Sequence, residues 1–147
     1  QYLKYPILSF YYNEIKKPGS MESDVDNFYL NFLQVYFPVH EDYGIEHESR
    51  PLEEQGFKKR TDFTIRYIKN DHPTKIILLE DKRAGKETST EQWKKALAQV
   101  AKYADMVRKE KKQDPDETIY LTVNIGTFIR LLVGFRNKGA TLGVKNA

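Results

Sequence analysis

The chain has no cysteine among its 147 residues. Disulfides, thiolate zinc sites and a cysteine nucleophile are therefore excluded, and the composition is compatible with an intracellular setting, in the nucleus or the cytoplasm. No apolar run approaches the roughly 18 to 20 residues of a membrane span, and the start shows no signal-peptide pattern, so we expect no membrane association. The net charge of +3 is too small by itself to indicate nucleic-acid binding.

The composition is that of an ordinary globular domain, with 39% hydrophobic and 31% charged residues. A length of 147 residues predicts one domain over 1–147. We expect its core at about 20–136, an N-terminal arm at 1–19 and a loose tail at 137–147. Because Gln1 is not a natural initiator, we also expect the chain to be a piece of a longer protein or a trimmed one.

Hydrophobic periodicity predicts an α/β fold built around a mixed sheet. Apolar residues recur at helical spacing over 20–37 and again from about 90 to 112. The expected N-terminal caps are Ser20 or Ser23 for the first helix and Ser89 or Thr90 for the second. Strands are predicted at 44–48, 57–68, 75–83, 118–126 and 127–135. The aromatic-rich start, 1–17, has no clear period and is expected to be a strand or an arm on the body.

The predicted strand at 75–83 ends in an acid, an acid and a base. Side chains alternate along a strand, so Glu80 and Lys82 should project to one side and Asp81 to the other. A turn centred on 70–73 would place Asp62, on the preceding strand, beside Glu80 and Lys82. Two carboxylates from adjacent strands are the minimum for a Mg²⁺ site. The same residues are also compatible with a structural ion pair.

Asp62, followed by a hairpin and then Glu80-Asp81-Lys82, resembles the PD-(D/E)XK nuclease superfamily. The resemblance spans about Ser20 to Phe135 and implies a restriction-endonuclease-like αβββαβ core. It also implies hydrolysis of phosphodiester bonds by a metal-activated water, leaving a 5′-phosphate, with Mg²⁺ as the ion and Mn²⁺ able to substitute. Thr61 stands where the name-giving proline would be.

The predicted second helix carries Gln99 and Tyr103, which is similar to the Gln-x-x-x-Tyr of the RecB-like branch of that superfamily. Residues four apart share a helix face, so both should lie beside the apolar stripe. Gln92, Lys95 and Lys102 share that shoulder, and we expect Lys95 and Lys102 to contact a nucleic-acid backbone.

The resemblance implies roles for individual residues. Asp62, Glu80 and the carbonyl of Asp81 would hold the metal, and Lys82 would position the attacking water. The acidic ligand expected from the first helix is open among Glu22, Asp24 and Asp26, with Glu22 or Asp26 favoured. Catalytic roles are thus predicted for Asp62, Glu80, Lys82, Gln99 and Tyr103.

The basic cluster Lys58, Lys59 and Arg60 has two interpretations, a solvated face or a clamp on the phosphate backbone. His40, His47 and His72 show no metal-ligand spacing and are expected to line loops. The predicted partner is nucleic acid, DNA in preference to RNA, with a homodimer and a larger chain both left open. Two rival hypotheses are a catalytically silent nucleic-acid-binding module and a structural protein-interaction domain on the same fold.

Overall fold

The structure, a computed structural model, describes residues 2–51, 60–114 and 116–133. Its helices are α1 (Pro6–Ile15), α2 (Glu22–Tyr36) and α3 (Thr90–Val107), with short 3-10 turns at Tyr2–Lys4 and Val39–Glu41. Its strands are β1 (Tyr43–Ser49), β2 (Thr61–Lys69), β3 (His72–Lys82), β4 (Tyr120–Ile125) and β5 (Phe128–Val133). None of the helices within these ranges is both long and apolar enough to cross a membrane.

The five strands form one sheet in the order β1-β2-β3-β4-β5. The pairs β1–β2, β2–β3 and β4–β5 are antiparallel, whereas β3 and β4 are parallel. A parallel pair needs a crossover connection, and α3 provides it between these two strands. The predicted α/β fold with a mixed sheet is confirmed.

Helices cover both faces of the sheet. α3 packs one face through its predicted apolar stripe, in a cluster that includes Trp93, Val100 and Val107 against Leu78 and Leu121. On the other face, α1 and α2 pack against the sheet in a second cluster, made of Leu8, Ile15, Val25, Phe28, Tyr29, Leu33, Phe63, Ile65 and Leu79. Alternate residues of β3 therefore enter opposite cores, as the period of two requires.

The N-terminal segment is a helix that belongs to the core, and the strand expected as one alternative for 1–17 is wrong. Pro6 occupies the first turn of α1, where its missing N–H costs nothing. Leu8 and Ile15, two turns apart, are each only 1% exposed. Ile7 and Phe10 are more than half exposed, and these outward apolar residues hide the helical period in the sequence.

The start of α2 differs from the expected serine caps. The N-cap residue is Met21, and its backbone N–H donates to the Asp24 carboxylate at 2.7 Å. An acidic residue at the third helical position reaches back to the cap in this way in a capping box. Neither Ser20 nor Ser23 has the capping position.

The cap of α3 is as predicted, because the Ser89 hydroxyl accepts the N–H of Gln92 at 3.2 Å. The helix ends at Val107 rather than near residue 112. Pro115 and the predicted loose tail at 137–147 lie outside the described residues.

β2 and β3 form the predicted hairpin. Lys69 pairs with His72, and the two intervening residues, Asn70 and Asp71, have φ values of 51° and 62°. Two consecutive left-handed residues are the mark of a type I′ turn, which matches the twist of the flanking strands. The pairing shifts by one residue between Ile65 and Arg66, and the ladder then stops at the pair Phe63–Leu79. Asp62 and Glu80 therefore come next to one another at the open end.

Candidate functional site

The candidate site lies at the carboxyl end of β3, where Glu80 and Lys82 meet. Nζ of Lys82 lies 2.5 Å from Oε1 of Glu80, which confirms that the two side chains project to the same side. Glu80 is only 1% exposed. Its second oxygen, Oε2, is buried and has no hydrogen-bond partner among the described residues. A buried carboxylate oxygen left in this condition is costly unless something binds it.

Asp62 is fixed to β3 by its side chain rather than by the backbone ladder. Beyond the pair Phe63–Leu79, the Asp62 carboxylate accepts the backbone N–H of Asp81 at 2.6 Å. This carboxylate replaces the carbonyl that a continued ladder would supply. Because the N–H and C=O of a strand residue point to the same side, the Asp81 carbonyl also faces the Asp62 side. The two strands thus present one carboxylate each, and a carbonyl, at the same end.

The N-terminal turn of α2 brings a third acidic residue to the site. Oε1 of Glu22 lies 4.0 Å from Nζ of Lys82, and the Glu22 side chain is exposed. Asp24 is engaged by the Met21 cap and does not take part. Asp26 lies one turn further along α2 and is half-buried. Of the three acidic residues weighed from the sequence, Glu22 is the one that the structure brings to Lys82.

At the site, acidic side chains lie close together near the Lys82 ammonium, and their negative charges outnumber its positive charge. The pKa of Glu80 is raised to about 7, first by burial and then by the charge of Asp62. Burial also raises the pKa of Asp62, even though the Asp81 N–H and Lys82 act in the opposite direction. Burial alone would lower the pKa of Lys82, but its bond to Glu80 raises it overall, so the ammonium stays charged.

Behind the site, on the other face of β3, lies a buried polar group formed by Asp81, Asn124 and Asp26. Asp81 and Asn124 are parallel neighbours, and Nδ2 of Asn124 donates to Oδ1 of Asp81 at 2.7 Å. Both are 0% exposed. Burial raises the pKa of Asp81 well above its usual range, and burial followed by the charges of Asp62 and Glu22 raises that of Asp26 to about 6. Asp81 therefore faces away from Glu80, as alternation predicts.

Asn124 was not among the residues predicted for the site. The Asn124 amide donates to the Asp81 carboxylate, and the backbone N–H of Asp81 donates to the Asp62 carboxylate. Its signal in the sequence is a single amide within the apolar strand YLTVNI. Its partner lies 43 residues away along the chain, so local spacing does not identify the contact.

Replacing Asn124 by leucine is expected to lower the free energy of unfolding by about 2 kcal/mol, because Asp81 keeps a buried acceptor without its donor. Urea unfolding at equilibrium measures this. The double variant Asn124→Leu/Asp81→Leu removes both partners and should recover part of the loss. A single variant as stable as the wild type would contradict the positioning role of Asn124.

Gln99 and Tyr103 lie together on α3, as their spacing predicts. Nε2 of Gln99 donates to the Tyr103 hydroxyl at 3.1 Å. Burial first, and then the charges of Glu80 and Asp62, raise the pKa of Tyr103, while the bond from Gln99 acts against the rise. These charges reach Tyr103 because α3 covers the face toward which Glu80 points. Tyr103 is 3% exposed and is therefore also a member of the core.

The residues predicted to bind nucleic acid have different surroundings. Lys102 is exposed and lines a surface cleft of about 490 Å³ with Ala98, Gln99 and Tyr103. Lys95 forms an exposed ion pair with Glu91 at 2.7 Å. Gln92 is partly buried in the first turn of α3, where its N–H bonds to the Ser89 cap.

The predicted basic cluster before β2 is described only at its last residue. Arg60 forms an exposed ion pair with Glu48. Lys58 and Lys59 lie outside the described residues, so the predicted clamp stays a prediction.

The histidines lie apart from one another. His40 lies in a 3-10 turn and His72 is the first residue of β3. His47 lies within β1 with its ring 5.0 Å from that of Phe63. The expected loop position is therefore wrong for both His47 and His72.

Whether this site fits a metal ion depends on its oxygen donors. In the described part of the chain, no group of three or more His, Asp or Glu side chains could hold a metal ion. Mg²⁺, however, is commonly bound by one or two carboxylates and keeps several waters. Asp62, Glu80 and the Asp81 carbonyl supply such a set, and the unpartnered Oε2 of Glu80 is a free donor within it. The donors therefore fit a hard divalent cation with few protein ligands.

Comparisons of the chain with protein-family models, curated proteins and solved structures give no match.

Proposed function

We propose that the protein is a Mg²⁺-dependent nuclease of the PD-(D/E)XK type, which hydrolyses phosphodiester bonds in nucleic acid, DNA in preference to RNA. The observation that carries the proposal is the group of Asp62, Glu80 and Lys82 at one end of two adjacent strands. Lys82 bonds one oxygen of Glu80, and the other oxygen is buried without a partner. The element order from α2 to β4, with α3 crossing between parallel strands, also supports a restriction-endonuclease-like core.

In this mechanism the carboxylates of Asp62 and Glu80 and the Asp81 carbonyl would hold the ion. Bound Mg²⁺ polarises a phosphoryl oxygen and lowers the pKa of a water. The Asp62 carboxylate is already oriented by the Asp81 N–H, so the donors need no large rearrangement. Glu22, exposed and 4.0 Å from Lys82, is the acidic residue of α2 that could complete the set.

Lys82 would position the attacking water. An ammonium has three N–H donors, and the Glu80 carboxylate accepts from one of them. The remaining donors can bind the water or a phosphoryl oxygen. A cation at this point also offsets negative charge that develops on the phosphate in the transition state.

Gln99 and Tyr103 would orient the site from α3. Because the Tyr103 hydroxyl accepts from Gln99, its own proton is free to donate toward the carboxylates or the substrate. Lys102, which shares a cleft with these two residues, would contact the phosphate backbone.

The wild-type protein is expected to cut single- or double-stranded DNA in Mg²⁺ or Mn²⁺ and to cut neither in EDTA. A thermal shift on adding either ion tests metal binding separately, since an ion that binds only the folded state stabilises it. The shift should disappear in Asp62→Ala and persist in Asp24→Ala, whose carboxylate caps α2 instead. A wild type that cuts no nucleic acid with either ion would contradict the proposal.

One observation favours the alternative of a catalytically silent nucleic-acid-binding module: among the described residues, no group of three or more His, Asp or Glu side chains is placed to hold a metal ion. Such a module would bind DNA equally in EDTA and in Mg²⁺ and would cut nothing. The same assay therefore separates the two hypotheses.

A further inference from the structure

A surface cleft of about 470 Å³ lies between two turns next to the candidate site. One wall is the turn 16–20, which joins α1 to α2, and the other is the turn 83–87, which follows β3. Arg83 directly follows Lys82, and the first wall leads into α2, where Glu22 lies 4.0 Å from Lys82. We name this space the Arg83 cleft. The lining of the second wall therefore begins one residue after Lys82, the last residue of β3.

The Arg83 cleft is basic where the neighbouring site is acidic. Lys16, Lys17 and Arg83 line it, together with a single acidic residue, Glu87. The Glu87 carboxylate is engaged by the backbone, because it accepts the N–H of Gly85 at 2.8 Å. Arg83 is exposed and forms no ion pair with the described residues. Lys17 forms an ion pair with Glu14 at 2.5 Å, so the positive charge that the cleft offers to an anion comes first from Arg83 and Lys16.

Two glycines leave the backbone accessible in the walls of the cleft. Gly19 and Gly85 have φ values of 82° and 93°, a conformation that other residues adopt only with strain. A Cβ on either would meet no atom within 4 Å, so the space in front of each backbone is open. Close approach of a ligand to backbone is one of the uses of glycine.

The turn that carries Arg83 is built to hold its shape. Gly126 also has positive φ, and a Cβ there would lie 2.6 Å from Oε1 of Glu87. Its N–H donates to the carbonyl of Lys82 at 3.0 Å. Glu87 therefore fits against Gly126 while it bonds Gly85, and this packing fixes the direction of the chain just after the site.

We infer that the Arg83 cleft binds an internal backbone phosphate of the strand to be cut, adjacent to the scissile one. This inference rests on the proposed nuclease function and adds where the strand runs: from the carboxylate end of β3 across the turn 83–87 toward Lys16 and Lys17. An acidic metal site repels a polyanion, and a basic cleft beside it supplies the attraction that the site itself lacks.

The test is binding of a fluorescent single-stranded oligonucleotide in EDTA, measured by anisotropy over a range of salt concentrations. Arg83→Ala is expected to weaken binding about 5- to 10-fold, and each removed phosphate contact should reduce the salt slope by about 1. Lys16→Ala/Lys17→Ala should show the same effect. Lys109→Ala removes an exposed lysine just beyond α3 and is the matched control, expected to bind like the wild type.

Two results would overturn the inference. The first is that Arg83→Ala and Lys16→Ala/Lys17→Ala both bind with the affinity and salt slope of Lys109→Ala. The second is that a 5′-phosphorylated oligonucleotide binds several-fold more tightly than a 5′-hydroxyl one and loses that advantage in Arg83→Ala, which would assign the cleft to a strand end.

Failure of the nuclease proposal shows differently. If the wild type binds DNA through Arg83 in EDTA but does not cut in Mg²⁺, the cleft stands as a phosphate site and only the catalytic role is rejected. If the wild type cuts in Mg²⁺ and Arg83→Ala binds and cuts like the wild type, the nuclease proposal stands and the phosphate site in the cleft is rejected.

Discussion

Lys82→Ala is expected to lower the rate of DNA cleavage at saturating substrate by about 100- to 10,000-fold, the usual contribution of one well-placed group in proton transfer or water positioning. The physical reason is that Lys82 is the one cation bonded directly to Glu80 in the described site. Without it, the attacking water loses its donor and the phosphate loses a compensating charge. The measurement is the single-turnover rate in Mg²⁺.

The fold of Lys82→Ala should survive, because the side chain projects from the end of β3 rather than into a core. Loss of the cation leaves Glu80 beside Asp62 without compensation, so the pKa of Glu80 should rise further and the group should become neutral. Circular dichroism and a thermal melt check this directly. Binding to DNA in EDTA should change much less than the cleavage rate.

Lys109→Ala is again the matched control. It lies at the opposite end of the sheet from Lys82, where Glu110 pairs with Lys75 near the start of β3. A folded Lys82→Ala that cuts DNA as fast as Lys109→Ala would contradict the role given to Lys82. It would leave the bond between Glu80 and Lys82 as a structural ion pair, which is the other interpretation of the sequence.

The features that the sequence predicted well depend on local periodicity. Alternation along a strand is enough to place Glu80 and Lys82 on one side and Asp81 on the other. The tight turn brings Asp62 to the same end of the hairpin as these residues. A register shift between Ile65 and Arg66, which the sequence did not predict, then places Asp62 next to Glu80 rather than Leu79. These rules need only neighbours within about 20 residues along the chain.

The features that were missed depend on contacts far apart in the sequence. Asn124 reaches Asp81 only because β4 pairs in parallel with β3 after the α3 crossover, and no local pattern fixes that register. Gln113 lies in the charged segment KEKKQDPDE, yet it is 7% exposed and its amide bonds both the N–H and the C=O of Lys75. This contact depends on how the segment after α3 packs against β3, which is distant from it in the sequence.

The Arg83 cleft was missed for a similar reason. One wall depends on α1 being a helix packed in the core, and the sequence pattern of that segment favoured an arm or a strand. Lys16 and Lys17 reach the cleft only because α1 ends at Ile15 and the chain turns there. Because α1 was not predicted as a helix, the Arg83 cleft could not be predicted either, although the main residues of the neighbouring site were.

As the pH rises, the wild type is expected to lose about 3 kcal/mol of unfolding free energy that Glu80→Gln does not lose. This is the second-largest effect among these predictions. In the folded protein the pKa of Glu80 is about 7, against 4.5 in its ordinary state. The folded state therefore holds a proton that the unfolded state has already released between these two values. Stability must fall as the pH rises through this window, and the full loss is present above the folded pKa.

The measurement is the free energy of unfolding in urea, without divalent ions, from about pH 5 to about pH 8. Glutamine cannot ionise, so Glu80→Gln should lose less stability than the wild type across that range, whatever its stability at the lower limit. Asp26, Asp62 and Asp81 also have raised pKa values. The charge of Glu80 is one of the causes of the raised pKa of Asp81, so the difference between the two curves reports Glu80 together with its effect on Asp81.

Asp105→Asn is the matched control, since it removes an exposed carboxyl on α3 and should leave the wild-type slope unchanged. Parallel curves for the wild type and Glu80→Gln would contradict the raised pKa of Glu80. Addition of Mg²⁺ gives a second comparison, because metal binding requires the ionised carboxylates and becomes stronger as they lose their protons. In Mg²⁺ the wild-type stability should therefore fall less steeply with pH, and Glu80→Gln should show no such change. A carboxylate that only pairs with Lys82 would give the same slope with and without the ion.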